Sequence, residues 1–203
     1  MSSLRRSRTG SGRRAGSSTV RHGALRVVSG TARGLRLDVP PGSMTRPTAD
    51  RVREAVFNAL DSLGVVAGAR VLDAYAGSGA LGIEALSRGA ATVTFVEADA
   101  VARSVTEANL ARTDLSERAV VQGGDGAAMV GRGPWDLVLL DPPYATAGWD
   151  DLLAAALIGL VPGGVVVAES DREIDAVEGL DPIRSRRYGS TVVTFLTRPG
   201  AIP

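Results

Sequence analysis

Between residues 70 and 169 the chain alternates short apolar runs with helix-patterned segments, and this alternation restricts its fold more than any other feature. The spacing predicts strands at 70–74, 92–97, 118–122, 136–140 and 164–169, with helices at about 79–88, 99–112 and 149–160 between them. Alternation of this kind argues a parallel sheet with helices on both faces. Upstream, apolar residues at 52, 55, 56, 59, 60 and 63 recur at helical spacing. Pro47 and Thr48 fit the start of that helix and Gly64 its end, while Arg51, Glu54 and Asn58 line up on its polar face. Downstream, strand-like runs at 183–188 and 191–197 meet at Gly189-Ser190, a hairpin that adds one antiparallel strand to the sheet. No internal repeat is visible.

At 203 residues and 44% hydrophobic content the chain suits one buried domain with an appendage. Residues 1–23 are Ser, Gly and Arg with almost no large apolar side chain, so a disordered basic tail is expected. Residues 24–42 are expected to form a small β-hairpin, with Leu25–Ser29 and Gly34–Val39 joined by Gly30-Thr-Ala-Arg-Gly34 and decorated by Arg26, Arg33 and Arg36. Residues 43–203 form the main domain. No stretch approaches the roughly 18 apolar residues of a membrane span, and Gly23-Ala-Leu-Arg26 interrupts any secretory signal. A cytoplasmic, monomeric protein without membrane contact is expected.

Charge is unevenly placed. Residues 1–37 hold nine Arg and no acid, whereas 38–203 hold fourteen Arg against twenty-two acids. A basic arm on an acidic body suggests a polyanionic partner reached by the arm. All 23 basic residues are Arg, suited to bidentate phosphate contacts, although a GC-rich coding bias explains most of the missing Lys. With no Cys, disulfides, thiolate metal sites and cysteine nucleophiles are excluded, and with them thiol-dependent methylation of cytosine carbon. The single histidine, His22, lies in the tail, so no His triad or His-rich metal site is expected. Acid–base work falls to carboxylates and Tyr.

The first motif, Asp73-Ala-Tyr-Ala-Gly77-Ser-Gly79-Ala-Leu-Gly82, follows an apolar strand and opens a helix. Its glycines let backbone approach a ligand closely. Glu97, twenty residues beyond Gly77, suits a ribose hydroxyl pair, which fits a NAD enzyme as well as a methyltransferase. Asp73 favours the second: a carboxylate beside the loop repels pyrophosphate and attracts the ammonium and sulfonium end of S-adenosylmethionine.

The second motif, Asp141-Pro142-Pro143-Tyr144, follows the apolar run Leu137-Val-Leu-Leu140 and falls at the carboxyl end of a central strand, where open α/β sheets bind ligands. The exocyclic amine of a base is a poor nucleophile because its lone pair is delocalised. Accepting its N–H groups on the Asp141 carboxylate and a backbone carbonyl such as that of Pro142 aims the lone pair at a methyl. Tyr144 is placed to stack on a flipped or unpaired base. By itself the tetrapeptide equally suits a strand-ending turn. A third feature, Asp125-Gly126, fits an acceptor for an adenine amino group or an ordinary turn.

These residues resemble a known family, the bacterial 16S ribosomal RNA guanine-N2 methyltransferases called RsmD. The resemblance spans roughly residues 25–198. It rests on Arg26-Val-Val-Ser-Gly-Thr-Ala-Arg-Gly, Arg46-Pro-Thr-Ala-Asp-Arg-Val-Arg-Glu-Ala-Val-Phe-Asn58, the segment from Leu72 to Leu86, Asp141 to Tyr144, and Arg187-Tyr-Gly-Ser-Thr191. It implies an α/β, Rossmann-like class I fold with a mostly parallel seven-stranded sheet and an antiparallel last strand. It further implies that S-adenosylmethionine is used, giving S-adenosylhomocysteine without a metal, to methylate guanine N2 of 16S rRNA in the small subunit or an assembly intermediate. By position, the expected cofactor site is Thr48, Asp73, Tyr75, Gly77, Ser78, Gly79, Glu97, Ala98, Asp125 and Gly126. The target base falls to Asp141, Pro142, Pro143 and Tyr144, and RNA contact to Arg26, Arg33, Arg36, Arg46 and Arg51. The tail 1–23 lies outside the family pattern.

Independently of the resemblance, Asp at 141 leans toward guanine, whose N1–H and N2–H are adjacent donors, whereas adenine presents a donor and an acceptor. An adenine-N6 DNA or RNA methyltransferase remains the enzymatic alternative, although no long insertion for reading DNA sequence is present. A non-catalytic ribosome-assembly protein that binds RNA is the alternative of another class, opposed by the intact Asp73, Glu97 and Asp141.

Overall fold

The computed structural model describes residues 25–42, 47–143 and 148–200, with 47–49 as backbone only. The expectations for the tail, Arg46, Tyr144 and the Thr48 side chain lie outside the described residues. The first helix, α1 (Pro47–Leu63), stands before an alternating run: β1 (Arg70–Asp73), α2 (Ala80–Ser87), β2 (Thr92–Glu97), α3 (Ala100–Thr113), β3 (Ala119–Gly123), α4 (Gly126–Val130), β4 (Trp135–Leu140), α5 (Trp149–Gly159) and β5 (Leu160–Ser170). A hairpin of β6 (Asp181–Tyr188) and β7 (Thr191–Thr197) follows. Helix α4 has no counterpart in the sequence reading, because five residues are too few to display a helical period.

The seven strands lie in the order β3-β2-β1-β4-β5-β7-β6. β7 is antiparallel to both of its neighbours, which leaves β6 running with the parallel strands. Sequence explains why the hairpin enters with its second strand inward. β7 is buried on both faces through Val192, Val193, Phe195 and Leu196, as a central strand must be, whereas Arg184, Ser185, Arg186 and Arg187 leave β6 exposed and charged, as suits an edge.

Alternate residues of the strands feed two cores. Val71, Val93, Phe95, Leu139, Val167 and Phe195 face a layer that includes Val52, Val56 and Phe57 of α1, Ile83 and Leu86 of α2, and Leu110 of α3. Leu72, Val96, Val138, Leu140 and Ala168 face α4 and α5 through Val130, Trp149, Leu152 and Leu153. At about 25 cal/mol per Å², burial of this apolar surface is the main stabilising contribution.

Residues 25–37 turn back on themselves with one antiparallel bridge, Arg26 to Arg36, and bury Leu25, Val27 and Leu37 in the first core. Polar contacts fix this segment on α2. The fully buried Glu84 accepts hydrogen bonds from the amides of Val28 and Ser29 at 2.8 and 3.0 Å, and Ser87 Oγ accepts from Ala32 N at 3.0 Å. Arg88 Nε donates to Glu84 at 2.8 Å, so the buried carboxylate is paired as well as hydrogen-bonded.

Candidate active site

The strand order reverses between β1 and β4, and ligands of open α/β sheets bind outside the carboxyl ends of strands at such a switch point. A cleft of about 980 Å³ opens there. One side is lined by Tyr75, Gly77, Glu97, Ala98, Asp125 and Gly126; the other by Asp141, Pro142, Pro143, Glu169 and the β6–β7 turn, Gly189 to Thr191. Gly42 and Val52 also reach it. The sequence motifs 73–82 and 141–143 thus converge, although about sixty residues separate them.

The loop after β1 is held from beneath. Gly77 has φ +54°, and a Cβ there would meet nothing within 4 Å, so this backbone faces open cleft. Its N–H donates to Glu97 Oε2 at 2.9 Å, while Oε1 accepts from Asp99 N at 2.8 Å. The Glu97 carboxylate is thereby oriented at the cleft wall, with a lone pair on each oxygen left for a pair of hydroxyls. The other motif glycines serve packing. A Cβ on Gly79 would lie 2.8 Å from Thr106 Cγ2, and one on Gly82 would lie 2.2 Å from Phe95 Cε1. Gly82 is therefore the point of close contact between α2 and β2.

Asp73 lies under the loop at 1% exposure and does not line the cleft. Its Oδ2 accepts from Gly82 N at 2.9 Å in the first turn of α2. Burial, and then the Asp141 and Glu97 charges, push its pKa up to about 7 against the pull of that hydrogen bond. Ser78 is likewise outside the cleft lining; its carbonyl accepts from Asn109 Nδ2 at 2.9 Å. Asp125 caps α4 by accepting from Ala127 N at 3.0 Å and also faces the cleft, so the turn and the ligand readings coexist. Burial and the Asp125 charge raise the pKa of Tyr75.

On the far side, Asp141 follows β4 and is open to the cleft, with burial pushing its pKa up to about 6. Glu169, near the end of β5, stands beside it and was not foreseen. A lone Glu in an apolar run carries no local signal; only the β4–β5 register, with Leu140 opposite Ala168, brings 141 and 169 together. Burial, then the charges of Asp141 and Asp73 against the attraction of Arg53, push Glu169 up to about 8. Arg26, Arg33, Arg36 and Arg51 are exposed, as an RNA contact requires, but none lines the cleft. Arg26 Nη1 is turned back to Gly34 O at 2.8 Å. Among the described residues no group of three or more His, Cys, Asp or Glu side chains could hold a metal ion, and no helix is long and apolar enough to cross a membrane.

The residues present fit S-adenosylmethionine: an open glycine backbone, an oriented carboxylate for two hydroxyls, and Val96, Ala98 and Tyr75 as an apolar wall for a flat ring. The mostly parallel sheet with its inserted antiparallel strand, and a glycine loop facing Asp-Pro-Pro across one cleft, define a class I S-adenosylmethionine-dependent methyltransferase.

Residues 25–197 match the model of a family described as conserved hypothetical protein 95. Among curated proteins, "Putative rRNA methyltransferase YlbH" of Bacillus subtilis is 37% identical over 188 residues, spanning 87% of this chain and all of its own length. "Ribosomal RNA small subunit methyltransferase D" of Escherichia coli K12 is 42% identical over 123 residues, 60% of this chain and 61% of that protein, so this match spans less than two thirds of that relative. Among solved structures, "Putative methyltransferase yhhF" of Escherichia coli is 32% identical with a TM-score of 0.77, covering 87% of this chain and 99% of the other. The chain belongs to this family, the RsmD methyltransferases whose motifs its sequence resembles.

Proposed function

We propose that the chain methylates the exocyclic N2 amino group of a guanine in 16S ribosomal RNA, acting as a cytoplasmic monomer on the small subunit or an assembly intermediate. The observation that carries this reading is the joining of two half-sites in one cleft, the Gly77–Glu97 wall and the Asp141–Pro143 wall. The names of the relatives, an rRNA methyltransferase and a ribosomal RNA small subunit methyltransferase, support an RNA acceptor.

When bound, S-adenosylmethionine supplies an electrophilic methyl on a sulfonium. Glu97 would hold the two ribose hydroxyls, the Gly77 backbone would take the methionine part, and Tyr75, Ala98, Asp125 and Gly126 would border the adenine. Asp141 accepts the amine N–H and turns the nitrogen lone pair toward the methyl, while Pro142 and Pro143 fix the backbone that carries it. Holding the two reacting atoms in line supplies on the order of 7–11 kcal/mol of the barrier reduction. Asp73 acts from beneath the loop, and stacking on the base is the role that the family motif gives to Tyr144.

The test is transfer of labelled methyl to small subunits from cells lacking this activity, with the product nucleoside identified by mass spectrometry. N2-methylguanosine is expected. N6-methyladenine would replace guanine with adenine as the acceptor, and cofactor binding without transfer to any RNA or DNA would overturn the assignment. Asp141→Ala is expected to abolish transfer while leaving S-adenosylhomocysteine binding within about threefold.

A further inference from the structure

A methylated amine nitrogen carries one proton too many, and the acceptor site described above assigns no destination for it. The face of the sheet beneath α1 offers one. Leu139 and Val167 belong to the core on that face, whereas Leu140 and Ala168 belong to the opposite core, so pleat alternation places Asp141 and Glu169 together on the α1 side of neighbouring strands. Both line the cleft. Neither makes a side-chain hydrogen bond or ion pair among the described residues, which leaves two carboxylates on the cleft lining uncommitted to other protein groups.

We propose that Glu169 is the proton acceptor of this site, receiving the proton that the acceptor nitrogen sheds while Asp141 holds that nitrogen in place. The N–H bond breaks with its electron pair staying on nitrogen, the proton bonds to a Glu169 oxygen, and the neutral acid then discharges to water in the cleft. The inference rests on the amine-methylating reading but not on which base bears the amine.

The surroundings of Glu169 suit the task. Asp141 faces it from the end of β4 and Asp73 from the end of β1, and both raise its proton affinity; Arg53 from α1 lowers it. From β7 the paired residue is Val193, flanked by Val192 and Thr194, none of which titrates. Two neighbouring carboxyls in such a place do not ionise together readily and Glu169 is the second to lose its proton, so it receives one from the amine only in molecules where it is itself ionised, a fraction that grows toward alkaline pH. That makes it the stronger base of the two.

Two measurements test this. In the free protein with 13C-labelled carboxyls, Glu169 is expected to titrate well above the usual carboxylate range, and Asp141→Asn is expected to move its midpoint down by about one pH unit or more. A Glu169 midpoint near 4 to 5 overturns the proposal whatever the methyl acceptor proves to be. In single-turnover methyl transfer, the wild-type rate is expected to rise with pH in two steps. Glu169→Gln should lose the alkaline step and fall at least thirtyfold above pH 8, while Glu169→Asp keeps the step at reduced amplitude. A Glu169→Gln profile that differs from wild type only by a constant factor assigns the residue to structure and overturns the role. Absence of transfer by wild type refutes the functional reading instead, and leaves the carboxyl titration to decide whether Glu169 is basic enough for the task.

Discussion

Asn109 of α3 clasps the backbone of Asp38 as a strand neighbour would: its Oδ1 accepts from Asp38 N at 2.8 Å and its Nδ2 donates to Asp38 O at 2.9 Å. The same Nδ2 donates to Ser78 O at 2.9 Å in the glycine loop. One fully buried amide thus ties the exit of the N-terminal hairpin to the loop that forms the cofactor wall. The segment before α1 is therefore coupled to the site through Asn109 as well as reaching it at Gly42.

Asn109→Ala removes three hydrogen bonds of a fully buried amide, one accepted from Asp38 N and two donated to the carbonyls of Asp38 and Ser78. A loss of about 2–4 kcal/mol of stability is expected, read from the urea midpoint. Where the protein still folds, S-adenosylhomocysteine affinity measured by calorimetry should fall about tenfold, because Ser78 loses its anchor.

Glu84 is the second tie between hairpin and domain. It accepts the Val28 and Ser29 amides and pairs with Arg88, and Arg53 Nε lies 3.7 Å away. Glu84→Ala strands two amides and takes a buried carboxylate from Arg88 and Arg53, which keep Asp61 and Asp50, for an expected loss of about 3–5 kcal/mol. Glu84→Gln, which retains one acceptor, should lose less. Limited proteolysis checks where the damage lies: cleavage within 25–40 should appear in Glu84→Ala under conditions where wild type is resistant.

Legibility in the sequence followed how local each signal is. Strands and helices with their own apolar period were readable, and so were Tyr75, Gly77, Glu97, Ala98, Asp125, Gly126 and Asp141 to Pro143, because each belongs to a short motif at a strand end. Glu169 and Val52 reach the cleft through strand register and helix docking, which no local window contains. The glycines show the reverse relation. Gly79 and Gly82 have the spacing of ligand-approach glycines, and the structure gives each a packing reason as well: a φ of +78° and the approach of Thr106 at Gly79, and the ring of Phe95 at Gly82.

Substitution separates those glycine roles. Gly82→Ala drives a methyl to 2.2 Å from the ring of Phe95, a fully buried side chain with nowhere to move, and should lower stability by about 1–3 kcal/mol. Gly77→Ala meets no protein atom but must hold φ +54°, for a loss of about 1–2 kcal/mol. Its larger effect should be on ligand: the added methyl projects into the cleft, and S-adenosylhomocysteine affinity should fall tenfold or more. Equal affinity losses in the two variants would contradict this division.

Asp73 gives the fold a pH dependence whose sign follows from its burial. Its pKa rises from the usual carboxylate range to about 7 on folding, so between about pH 4 and 7 the folded state binds more protons than the unfolded chain, and stability falls as pH rises through that window. Below pH 4 both states are protonated and the effect vanishes; above 7 the penalty is complete. Asp73→Asn keeps an acceptor for Gly82 N–H and cannot ionise, so its stability relative to wild type should improve by on the order of 3 kcal/mol between pH 4 and pH 8. Paired urea titrations at the two pH values measure that difference directly. A gap that stays constant with pH would mean that Asp73 is ionised throughout, and its place beneath the glycine loop would then be that of a fixed anion.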